Sequence, residues 1–184
     1  MRGSKRKIEI TNQTMKAMKK QLTLLVLALV SLGAYAQHDH AAASHAQKSI
    51  PEFKDKKVGI AYGHYIHLKD VLVASNAKEA KTATTELQKA LASLDNGKTA
   101  AELAGKISAS TDLKEQRKTF SDLSNEITTI VKASKLESGS LYVEYCPMAN
   151  NNTGAFWLSN EKEIKNPYFG DMMLKCGSVK ETIQ

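Results

Sequence analysis

From residue 57 onward the chain is organised by apolar residues recurring every three to four positions. Val58, Ala61, Tyr65, Leu68 and Leu72 form one stripe, the mark of a helix with a single buried face. Asn76 followed by Glu79 has the spacing of a capping box, so a second helix starts there. Its stripe is Ala80, Thr84, Leu87, Leu91 and Leu94, and Asp95-Asn96-Gly97 supplies the turn that ends it. A shorter helical piece is expected around Ala100 to Ile107. The longest helix is expected from about Thr111 to Lys135, with Leu113, Phe120, Leu123, Ile127 and Ile130 buried. Short connections between such helices favour antiparallel neighbours.

At Glu137-Ser138-Gly139-Ser140 the period changes. Leu141 to Cys146 alternates and carries strand formers, and Ala155 to Leu158 is a second strand candidate beyond the turn run Asn150 to Gly154. Asn166 to Gly170 marks another turn, and Met172 to Cys176 reads as a helical turn or a strand. The expected fold is therefore mainly α: a small up-and-down helical bundle over about 53–136 with a C-terminal β-hairpin cap over about 141–184. Some 44 residues could barely build a core of their own, so 53–184 is expected to be a single domain.

The N-terminal stretch is of a different kind. Lys19 and Lys20 precede an apolar run from Leu22 to Leu32, and Ala34-Tyr35-Ala36 offers a small-x-small cleavage site. Those parts make a secretory signal peptide over residues 1–36, with Met15 and Met18 as alternative initiators downstream of the polar stretch 1–14. The run is too short for a permanent membrane span, which needs about 20 apolar residues. The expected location is the periplasm. Residues 37–52, with His38, His40 and His45, read as a disordered linker.

Export changes the charge balance. The full chain carries +7, but 19 basic and 18 acidic residues remain after residue 36. The basic excess belongs to the leader, and with no basic stripe among aromatics, nucleic acid is set aside as a partner. Catalytic signatures are missing too: there is no nucleophile elbow, phosphate loop, dinucleotide fingerprint or zinc-protease histidine pair. The chain reads as a non-enzyme.

The sulfur atoms are the most informative feature. After the leader the chain has two cysteines and three methionines, all between Cys146 and Cys176. Cys146 and Met148 share a face if extended, and Met172 or Met173 lies beside Cys176 in a helical turn. Convergence of the two clusters would gather thiolate and thioether donors, which select Cu(I) over harder ions. The same two cysteines in an oxidising compartment can instead form a disulfide, worth about 3 kcal/mol for a loop of about 30 residues. Spacing leaves both uses open. His64 and His67, three apart on the first helix, add imidazoles if the cap docks along that edge of the stripe, although two surface histidines are the commoner outcome.

Four C-terminal segments carry a family resemblance: Tyr145-Cys146-Pro147-Met148-Ala149, Gly154-Ala155-Phe156-Trp157-Leu158-Ser159, Ile164-Lys165-Asn166-Pro167-Tyr168-Phe169-Gly170 and Met173-Leu174-Lys175-Cys176-Gly177. With the helix segment Tyr65 to Val73, they resemble an uncharacterised family of bacterial periplasmic domains. That family also occurs as C-terminal extensions of copper/silver efflux adaptor (membrane-fusion) proteins. The resemblance spans about 57–182. It implies metal handling, with Cys146, Met148, Met173 and Cys176 as ligands for Cu(I) or Ag(I); Met172, His64 and His67 are further candidates from their spacing alone. The implied role is sequestration or delivery to an efflux complex. The competing expectation is a disulfide-bonded envelope domain without metal.

Overall fold

The computed structural model describes residues 51–184. The stretch expected to be a signal peptide and nearly all of the expected linker, with His38, His40 and His45, lie outside the described residues.

Four helices come first: α1 (Lys56–Val73), α2 (Ala77–Ala92), α3 (Lys98–Ala109) and α4 (Leu113–Ser134). Each of three begins at a side chain that accepts from amides the first turn would leave unpaired. Asp55 accepts from the Lys57 N–H, Asn76 from the Glu79 N–H, and Asp112 from the Lys114 and Glu115 N–H groups. Asn76 and Glu79 also bond side chain to side chain at 2.8 Å, completing the predicted N-terminal box. Every residue of the α1 and α2 stripes is buried, as is the α4 stripe except Leu113, which is half-buried. Consecutive helices pack on each other, and α1 also packs on α4, so the bundle closes. The Tyr65 and Phe120 rings stack at 5.3 Å between those two helices.

The C-terminal part departs from a simple hairpin. Two short strands, β1 (Glu52–Phe53) and β2 (Leu136–Ser138), pair antiparallel across the base of the bundle, so Glu52 belongs to the fold and not to a linker. The main sheet has three strands, β3 (Leu141–Cys146), β4 (Ala155–Ser159) and β5 (Ser178–Ile183), in the order β4-β3-β5. The fold is thus largely helical with a small antiparallel sheet, a mixed arrangement and not an α bundle carrying a hairpin alone. The third strand escapes the pattern because none of its residues is buried. It is an edge strand held by backbone bonds to β3, so no apolar alternation was needed to place it. Lys132 of α4 reaches Glu181 at 2.6 Å and ties that edge to the bundle.

Buried residues of the helices and of β3 and β4 form one hydrophobic cluster. Tyr65 joins the two parts directly: its hydroxyl pairs with the Ser124 hydroxyl at 2.9 Å and accepts from the Leu158 N–H at 3.0 Å. Arg117 of α4 donates to the carbonyls of Leu72 and Pro167 and to the Ser75 hydroxyl, fastening the long β4–β5 connection to the end of α1. No described helix is long and apolar enough to cross a membrane.

Candidate metal centre

Cys146 ends β3 opposite Ala155 of β4 and is fully buried. Cys176 arrives from the other side of the β4–β5 connection, a segment organised by Asn166. This buried side chain donates to the Cys176 carbonyl at 2.7 Å and accepts from the Tyr168 N–H at 2.8 Å. Its backbone N–H donates to the Leu174 carbonyl, and its own carbonyl accepts from the Gly170 N–H. The Cys176 N–H closes a turn on the Met173 carbonyl at 2.9 Å, which is the helical-turn spacing expected for that pair. Gly177 follows at φ +141°, where an added Cβ would stand 2.8 Å from Trp157 and 3.0 Å from the Tyr145 carbonyl. Only glycine lets the chain pass so close.

The result is a pair of adjacent thiols drawn from two segments. Both cysteines are free, and the Cys176 thiol lies close enough to Cys146 for the two to influence each other's protonation. The neighbouring Cys146 first, and then burial, push the Cys176 thiol up to about 11, while the Met148 backbone pulls the other way. The Cys176 thiol is therefore protonated at neutral pH.

The remaining predicted residues fall at different distances from this pair. Met148 is tied to it through its backbone, with its side chain exposed. Met173 is half-buried and turn-bonded to Cys176, whereas Met172, in the short 3-10 turn Gly170–Met172, is 78% exposed. His64 is half-buried and His67 is exposed. Among the described residues no hydrogen bond, ion pair or charge interaction joins either histidine to the sulfur residues. Nor does any group of three or more His, Cys, Asp or Glu side chains form a metal-holding cluster among them.

A second polar site was not anticipated. Glu144 is fully buried, faces Trp157 across the β3–β4 ladder, and neither carboxylate oxygen has a hydrogen-bond partner. Burial pushes its carboxyl up to about 8, against the opposing charge of Lys69 and the nearby Trp157 indole N–H. Lys69 is itself buried and reaches Asp70 at 2.7 Å. One signal was present in the sequence: Glu144 and Cys146 are two apart in one strand, so whatever face takes Cys146 takes Glu144.

Residues 61–139 match the model of a family described as a protein of unknown function (DUF3347). The match runs from within α1 to the end of β2, so it supports an uncharacterised domain family over the helices and stops short of the cysteines. No curated protein and no solved structure matches the chain.

Proposed function

We propose that this chain is a periplasmic soft-metal-binding protein, not an enzyme, that holds Cu(I) or Ag(I) between Cys146 and Cys176. Its role is sequestration of the ion or its delivery to an efflux complex. The observation that carries this reading is the juxtaposition of the two thiols. Two thiolates make a soft donor pair, which favours a soft monovalent ion over harder divalent ones. The raised Cys176 thiol makes a poor nucleophile, which favours binding over covalent catalysis. Location and efflux partnership rest on the leader pattern and on the family resemblance. The same juxtaposition favours a second reading, a Cys146–Cys176 disulfide that staples the β4–β5 connection without metal.

The test is competition for Cu(I) against a chelator under reducing conditions, with the mass of protein isolated from the periplasm as companion. Cys146→Ser and Cys176→Ser should each abolish tight binding, Met148→Leu should weaken it, and His67→Ala should leave it unchanged. The Cys176 thiol, pushed up to about 11, must release its proton, so affinity should climb by about 10-fold per pH unit around neutral pH. Equal affinity across the cysteine variants removes the site. A quantitative loss of two hydrogens in the isolated protein, with no copper retained after reduction, establishes the disulfide reading.

A further inference from the structure

We propose that the groove between the start of α4 and the turn after β3 docks an acidic peptide segment of a partner protein, one that carries apolar anchor residues. The inference does not use the thiol pair. The groove has a volume of about 880 Å³, near the top of the roughly 300–1,000 Å³ typical of ligand sites.

Part of its lining is apolar. Met148 and Met172, two of the most exposed large hydrophobic side chains described, stand on this groove with Leu113 and Phe169. Exposed methionines are adaptable contacts for apolar side chains. The α4 wall is cationic: Lys114, Arg117 and Lys118 line it, against a single acid, Asp122. Among the described residues neither lysine forms an ion pair, and the hydrogen bonds of Arg117 all go to neutral oxygens. An acidic ligand therefore meets a net positive charge beside apolar side chains.

The opposite wall selects a peptide over an alkyl chain. The left-handed turn Ala149–Asn152 holds Asn150, Asn151 and Asn152 at φ of 51°, 57° and 66°. Asparagine tolerates that region better than other residues with a Cβ. The turn thereby presents three successive amides, each donor and acceptor, at the groove. Those amides match a peptide backbone, whereas a lipid tail would leave them unpaired on docking.

The experiment uses the full chain and a fluorescein-labelled decapeptide in which Asp and Glu alternate with Leu and Met, read by fluorescence anisotropy. The same peptide with lysines for the acids, and vesicles of phosphatidylglycerol, serve as comparators. Saturable binding of the acidic peptide is expected, weakened about ten-fold or more by Lys114→Glu combined with Lys118→Glu. Met172→Asp should weaken it too, and added salt should reduce it. Lys78→Glu combined with Lys81→Glu, on exposed α2 positions, should leave it unchanged. All substituted side chains are exposed, so circular dichroism should match the parent. The proposal is overturned by absence of saturable binding, by equal binding of the lysine peptide, or by equal loss in the α2 variant. Binding of vesicles in place of the acidic peptide overturns it as well.

Discussion

Glu144→Gln should make this protein more stable, and increasingly so as pH rises. The carboxyl titrates near 4.5 in the unfolded chain and is pushed up to about 8 in the fold. Between those values the folded state holds a proton that the unfolded state releases, so stability falls as pH rises through the interval. At about 1.4 kcal/mol per pH unit the interval amounts to roughly 5 kcal/mol, an upper bound because Lys69 and local rearrangement offset part of it. Glutamine keeps the shape and stays neutral. Parent and variant should agree within about 1 kcal/mol at pH 5, where Glu144 is protonated in the fold, and diverge by several kcal/mol at pH 9. Urea unfolding at unit pH steps measures this, and Trp157 is a convenient probe as the one tryptophan of the chain and the cross-strand partner of Glu144. Carboxylates elsewhere titrate alike in both proteins and cancel. Parallel stability curves from pH 5 to 9 would refute the reasoning, and would mean that Lys69 holds the carboxylate charged inside the fold.

Tyr65→Phe should cost about 2 kcal/mol, because it strands the buried Leu158 N–H and removes the Ser124 partner. A lower urea midpoint at unchanged slope reports it, and a loss under about 0.5 kcal/mol would show that this hydroxyl does not staple the sheet to the bundle. Gly177→Ala should destabilise by about 2 kcal/mol or more, since φ +141° and the contacts with Trp157 and the Tyr145 carbonyl leave no room for a Cβ. The same variant should lower Cu(I) affinity by displacing the adjacent Cys176, and unchanged stability with unchanged affinity would refute the close packing.

The bundle was legible in the sequence because its determinants are local. A helix commits its stripe through 3.6-residue periodicity and its start through one capping side chain, so Asn76 with Glu79, and the run from Val58 to Leu72, could be placed without knowing any neighbour. Strands β3 and β4 were legible for the same reason, through apolar and β-prone runs between turn residues. What lay beyond the sequence depended on pairing between distant segments. The edge strand β5 owes its place to backbone bonds with β3 and carries no apolar period. Alternation along β3 could not say which of its faces would be covered, so the burial of Glu144 waited on Trp157 and α1 closing over it. Composition pointed to the five sulfur residues. Only the tertiary structure, through Asn166 holding the Cys176 carbonyl and Gly177 slipping past Trp157, brought Cys176 beside Cys146 and left Met172 exposed. Periodicity determines which face of an element is apolar. Which residues from different elements share a point is decided by how those faces pack, a property no single segment contains.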